Sequence, residues 1–267
     1  MLREPAVAGQ FYRGSPELLR EEVRGYMVDA RKEEVLGCVS PHAGLMYSGH
    51  VAGAVYSSVR IPETVVLIGP NHTGLGSRIS MFPDGEWVIP TGRFYIDREL
   101  GDLLFTRASD ILARDSRAHM FEHSLEVQLP FLSVSRETPR ILPIVMMQAT
   151  TEECRMLGEA ISSAARKLNR RILVVASSDM SHYLSDTEAR RLDNLAIERI
   201  LALDPEGLYN TVISKRISMC GYLPVTTMLY YALSCQAKEA RLIKYATSGE
   251  ISGDYDHVVG YAGIIVK

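Results

Sequence analysis

The sequence predicts an α/β fold: one domain over residues 1–267, an α/β/α sandwich with a mixed, mainly parallel central sheet. Three observations carry that expectation. The aliphatic runs VLGCVS (35–40), TVVLIG (64–69), RILPIVMM (140–147) and RILVVAS (171–177) lack polar alternation, as expected for strands buried on both faces. Segments with helical spacing or capping signals follow or separate them. No linker, internal repeat or low-complexity tract divides the chain.

Taken in order, VLGCVS is the first buried strand. Val51, Ala52, Val55, Tyr56 and Val59 then recur at helical spacing before TVVLIG. RISMFPDGEWVIPTG (78–92) breaks the alternation. Its Pro-Asp-Gly between β-rich runs predicts a hairpin, an antiparallel excursion at a sheet edge or beside the site mouth. Between RILPIVMM and RILVVAS a helix is expected from about Thr151 to Leu168, capped by Thr150 or Thr151. SDTEARRLDNLAIERILALD (185–204) reads as an amphipathic helix capped at Ser185 or Asp186. GYLPVTTMLYYALSCQ is an apolar helix with Pro224 in its first turn, where a missing N–H costs nothing. EARLIKYATSG and HVVGYAGIIVK supply two final strands.

Composition narrows the function classes. A net charge of −3 gives no support to nucleic acid as the partner. No apolar run approaches the roughly 20 residues of a membrane span, and the N-terminal MLREPAVAGQFY lacks the apolar core of a signal peptide. A cytoplasmic location is therefore expected, with no membrane partner. The four cysteines are widely spaced without a CxxC pair, which favours free thiols. Cys38 and Cys235 read as core residues, and Cys154 falls in the first turn of a helix.

The chemistry-bearing residues gather at strand ends. In open α/β sheets the functional crevice lies outside the carboxyl ends of the strands. His42 follows the strand 35–40 and His72 follows 64–69, while 171–177 runs into SSDMSHY with Asp179 and His182. Three strand ends thus deliver imidazoles and a carboxylate to one rim, a set that suits Zn, Fe or Cu. Cys220, in SMCGYLPV just ahead of the apolar helix, is placed to add a thiolate, with Gly221 allowing close backbone approach. His123 and Glu126 of HMFEHSLEVQLPFL stand about one helical turn apart and are candidates for orienting a ligand or contacting substrate. Each residue also has a plainer reading: a hydrogen-bonded turn histidine, an N-cap aspartate, a packed thiol, a helix-surface pair. His50, His119 and His257 lack supporting context and read as structural.

REPAVAGQFY, SPHAGLMYSG, GPNHTG, EHSLEVQLPFL, SSDMSHY, MCGYLPV and VVGYAG occur in the order seen in the Memo-like family, which the chain resembles from end to end. That family takes its name from a mediator of ErbB2-driven cell motility, and its prokaryotic members are called AmmeMemoRadiSam system protein B. The resemblance implies a fold like that of the class III extradiol dioxygenases, which hold non-haem iron with two histidines and a carboxylate. It implies His42, His72 and Cys220 as metal ligands, with the cysteine where the dioxygenases carry glutamate. It further implies His182 as the acid/base histidine with Asp179 beside it. Iron or copper is expected before zinc, and the resemblance points to AMMECR1-type and radical-SAM protein partners. Thiolate in place of carboxylate weakens a direct transfer of ring cleavage. Leu45, where many members have an aromatic, and Tyr222, where an Arg or small residue is common, alter the pocket wall and leave the substrate open.

Three functions are consistent with this reading. The first is a metal-dependent, dioxygenase-like oxidoreductase acting on an unknown small molecule. The second is a non-catalytic module binding a peptide or protein in the same cleft. The third is a zinc hydrolase on the same ligands, with His182 or Glu126 as base.

Overall fold

The computed structural model describes residues 1–135 and 138–267. Its sheet is built around four parallel strands, β2 (Gly37–Ser40), β9 (Ile172–Ser177), β3 (Thr64–Pro70) and β8 (Arg140–Met146), adjacent in that order. Every residue of β2, β3 and β9 is buried, which is why their sequences run aliphatic without a break.

Antiparallel strands extend the sheet on both sides. β12 (Val258–Val266) pairs with β2 and carries β11 (Ala240–Thr247) on its far side, with the short β10 (His182–Leu184) along its start. On the opposite flank β4 (Ile79–Met81) runs antiparallel to β8, and β7 (Ala113–Arg114) pairs with β4. The mixed central sheet expected from the sequence is therefore present, parallel through its four central strands and antiparallel on the flanks, and it remains open at both ends.

Helices cover both faces. α2 (Leu45–Ser58) lies over β2, β11 and β12, with α1 (Pro16–Tyr26) and α4 (Leu129–Ser133) against it. The other face is covered by α8 (Tyr222–Ser234), packed over β2, β9 and β3, and by α5 (Thr151–Leu168) alongside α8. α3 (Arg98–Ala108) packs against α5, α7 (Pro205–Lys215) against α8, and α6 (Asp186–Leu201) joins α7 to β11 and β12; α9 (Gly249–Ser252) is one turn. One buried apolar cluster runs from Val7 to Val266 through both layers.

Local chemistry explains the boundaries. Thr150 caps α5 in a reciprocal capping box with Glu153, and Ser185 caps α6, both at expected positions. α2 begins six residues before the apolar periodicity, because Gly44 serves as its N-cap and Leu45 enters the core directly.

The Pro-Asp-Gly expectation needs correcting. Gly85 lies between β4 and β5 (Glu86–Ile89), strands of different sheets, and the hairpin turn is at 90–91, between β5 and β6 (Gly92–Tyr95). Gly85 has φ +112, and a Cβ there would fall 1.9 Å from the Met1 carbonyl oxygen. Its glycine serves packing of the chain start, which forms β1 (Leu2–Arg3) parallel to β5. Among the described residues, no helix is long and apolar enough to cross a membrane.

Candidate metal centre

Because β2, β3 and β9 are parallel and in register, with Ser40 opposite Ser177 and Ile68 opposite Ala176, their carboxyl ends share one edge. His42 and His72 each stand two residues beyond their strand, and Asp179 two beyond β9. The matched placement read from the sequence is thus a consequence of strand alignment.

The hydrogen bonds around His42 define its tautomer. The Ser177 hydroxyl donates its one proton to the Ser124 carbonyl at 2.7 Å and accepts from Gln128 Nε2 at 2.8 Å. Nδ1 of His42, 2.8 Å from the same oxygen, must therefore carry the proton and donate it, which leaves Nε2 as the lone-pair nitrogen. The His42 backbone N–H donates to Asp179 Oδ1 at 2.8 Å. Burial, and then the neighbouring His123 and His72, hold His42 well below the ordinary imidazole range, so it is neutral.

His72 is fixed by a carboxylate that sequence reading did not single out. Nδ1 donates to Glu122 Oε1 at 2.9 Å, and the His72 backbone N–H also donates to Glu122. Glu122 accepts further from Ser124 N at 2.8 Å. Burial acts to lower His72, but Glu122 outweighs it and raises the imidazole. The reciprocal effect on Glu122 overcomes burial and brings its carboxyl down to about 2. The signal available in the sequence was the Glu122-His123 dipeptide itself.

His123 joins the pair directly. The ligating atoms of His42, His72 and His123 lie within 4.8 Å of one another, close to the donor span around one transition metal with bonds of about 2.0–2.3 Å. The His72 and His123 rings stack at 4.7 Å, the His42 ring stands edge-on to His123 at 5.5 Å, and Phe11 lies 4.7 Å from His123. His123 is not on a helix with Glu126; it belongs to the loop before a single 3-10 turn, Glu126–Gln128. Glu126 is fully buried, and its carboxylate accepts from Arg3, Ala6 N, Val7 N and the Tyr12 hydroxyl. Its bonds face the N-terminal segment.

Cys220, two residues before the start of α8, contacts this group through His42. Its Sγ lies 3.4 Å from His42 Nε2 and receives the Asp179 backbone N–H at 3.3 Å. Close approach depends on Gly221, where a Cβ would sit 2.3 Å from the Ser177 carbonyl oxygen. Burial and the negative charge of Asp179 push the thiol up, so deprotonation here calls for a cation. Asp179 is itself raised by burial, against the pull of the His42 N–H.

His182 lies on the same rim but is oriented by Ser218. Its N–H donates to Ser218 Oγ at 2.8 Å, and Nδ1 donates to the Ser218 carbonyl at 2.9 Å. Asp179 spends Oδ1 on the His42 and Ala43 N–H groups instead. His119 is buried, with Nε2 3.1 Å from the Ser80 carbonyl, as a structural histidine should be.

The donor chemistry fits a transition metal. His42 and His72 have Nδ1–H held by a hydroxyl or carboxylate, the arrangement that orients Nε2 as a ligand. Cys220 adds a soft donor within contact of one of them.

A family model described as Memo-like protein matches residues 3–265. A MEMO1 family protein of Archaeoglobus fulgidus is 42% identical over 266 residues, covering 100% of both chains. One from Desulfurococcus amylolyticus is 42% identical over 278 residues, covering 98% of each, and one from Methanopyrus kandleri is 42% identical over 282 residues, covering 100% of this chain and 99% of that protein. The crystal structure of an uncharacterized Escherichia coli K12 protein, JW3007, superposes with a TM-score of 0.59 at 12% identity, over 87% of this chain and all of that one, and so speaks for the fold. With seven ordered motifs, a full-length model match and relatives at this identity, the chain belongs to the Memo-like protein family.

Proposed function

We propose that this protein is a metal-dependent oxidoreductase of the dioxygenase-like kind, with its centre on His42, His72 and Cys220. The observation that carries the reading is the convergence of His42, His72 and His123 ligand atoms within 4.8 Å, with the Cys220 thiol 3.4 Å from His42 Nε2. Two or three imidazoles with one thiolate suit iron or copper, and such a metal when bound supplies redox chemistry and Lewis acidity.

The remaining roles fall to the chain. Ser177 and Glu122 keep the Nε2 lone pairs of His42 and His72 turned inward. Held at Nδ1 by the Ser218 carbonyl, His182 presents Nε2 as a proton acceptor on the rim. Asp179 anchors the His42 loop with one oxygen and keeps the other for a proton. His123 serves as a further imidazole donor or substrate contact beside Phe11.

Metal analysis of untagged, anaerobically purified protein tests this. Near-stoichiometric iron or copper, lost in folded His42→Ala, His72→Ala and Cys220→Ser variants and retained in His182→Ala, is the expected result. Zinc lost in the same pattern would replace the proposal with a hydrolase. A protein that takes up no Fe(II), Cu or Zn would refute both.

A second reading has its own support. Phe121, 70% exposed, adjoins Glu122, and Tyr183, 74% exposed with φ +59, adjoins His182. A bulky residue held in the left-handed region is a feature of binding sites, and the exposed Tyr183 ring lies 6.0 Å from that of His182. A module that captures a peptide through these rings would bind after chelation and in Cys220→Ser.

A further inference from the structure

Arg3 and Tyr12 of the N-terminal motif REPAVAGQFY have no role in the chemistry proposed above, yet their side chains reach the loop that carries the site. Arg3 is fully buried, with its guanidinium 4.3 Å above the Trp87 ring. Nε donates to the His119 carbonyl at 3.0 Å, Nη2 to the Glu122 carbonyl at 2.7 Å, and Nη1 pairs with Glu126. Glu126 in turn accepts from Ala6 N at 2.8 Å, Val7 N at 3.0 Å and the Tyr12 hydroxyl at 2.6 Å. These bonds join two stretches of chain: the N-terminal segment 3–12 and the loop 119–126. That loop carries Glu122, which holds His72, and His123, against which Phe11 rests.

We infer that Arg3 and Glu126 are positioning residues for the site, locking the Glu122–His123 turn against the N-terminal segment and thereby fixing the His72 and His123 imidazoles. The consequence for metal affinity rests on the metal-centre reading; the ordering of the two imidazoles does not. A buried ion pair is a poor device for stability alone, because desolvating two charges offsets most of their attraction and apolar replacements of similar volume often do as well. Arg3 does what an apolar residue cannot: its rigid fork holds the Glu122 carbonyl, the His119 carbonyl and Glu126 at once. Lysine keeps the charge but has no fork with which to bridge all three.

Stability and positioning are therefore separable in two variants, the double replacement Arg3→Met/Glu126→Leu and the single Arg3→Lys. Both are compared with wild type by Co(II) affinity, using chelator competition, and by ring resonances of the histidines in metal-free protein. The expected result is a loss of about 10–100-fold in Co(II) affinity with unchanged far-ultraviolet circular dichroism. In the same samples the His72 and His123 ring signals shift or broaden and the Phe11–His123 contact weakens, while His182 is unmoved. Arg3→Lys keeps the test decisive if the double variant does not fold. Unchanged His72 and His123 signals overturn the inference, as does a change that includes His182 equally, since that is global loosening. If wild type takes up no Co(II), the metal reading fails alone and the ring spectra still decide: a selective change supports positioning, none refutes it.

Discussion

At the scale of single residues, what matters is which atom holds a proton. Ser177 has one hydroxyl proton and gives it to the Ser124 carbonyl, so His42 has no choice of tautomer. Removing that hydroxyl in Ser177→Ala frees Nδ1 while leaving the strand intact. Metal affinity should fall about 10–100-fold by calorimetric titration, and an affinity equal to wild type would refute the tautomer argument. His119 provides a test at a histidine outside the ligand set. Burial, and then the charge of Arg3, bring its imidazole down to about 3, and its ring stands edge-on to Phe82 and Trp87. Between the ordinary histidine value of about 6.5 and pH 3, the unfolded chain binds a proton that the native protein refuses. Stability therefore falls as pH is lowered through that window, by about 1.4 kcal/mol per pH unit and roughly 3–5 kcal/mol in total. His119→Phe should flatten this part of the profile in urea denaturation; parallel curves for the two proteins would show that His119 is not the source.

At the scale of elements, strand ends and helix starts do the positioning. β2, β3 and β9 bring His42, His72 and Asp179 to one edge, and the turn just before α8 brings Cys220 from the neighbouring layer. The junction of α8 with β9 is tight: Gly221 N–H donates to Ser178 Oγ at 3.0 Å, and a Cβ would meet Ser177 O at 2.3 Å and Ser178 Cβ at 2.5 Å. Gly221→Ala must therefore move backbone against backbone. A loss of roughly 1–3 kcal/mol in urea denaturation is expected, together with a weakened sulfur-to-metal absorption band in the Co(II)-loaded protein. If both stay at wild-type values, close approach at Gly221 is not what sets the Cys220 position.

For the whole molecule, the site ties together chain regions far apart in sequence. The N-terminal segment, the ends of β2, β3 and β9, the loop 119–126 and the start of α8 all meet there. A ligand that binds only this assembly stabilises the native state by mass action, about 4 kcal/mol at a thousandfold excess over its dissociation constant. For a chain of this size that corresponds to a rise in Tm on the order of 10 °C. Calorimetric scans with added metal should show the rise in wild type and lose it in His42→Ala and His72→Ala. A metal that leaves the wild-type Tm unchanged is not bound at the centre.

The buried strands, the capped helices and the matched placement of His42 and His72 were legible in the amino-acid order, because burial on both faces and capping leave local, periodic marks. That order also supplied the family, through motifs that run the length of the chain. Which partner each group has depends on how the folded chain packs. Glu122 and Ser177 hold the imidazoles, Ser218 rather than Asp179 orients His182, and Glu126 turns to Arg3 and Tyr12. The same limit explains the misplaced hairpin, since Gly85 answers to Met1 across a chain-start contact and not to a local turn. These are contacts between residues tens to more than a hundred positions apart, and periodicity or turn chemistry within a window of ten residues carries no record of them.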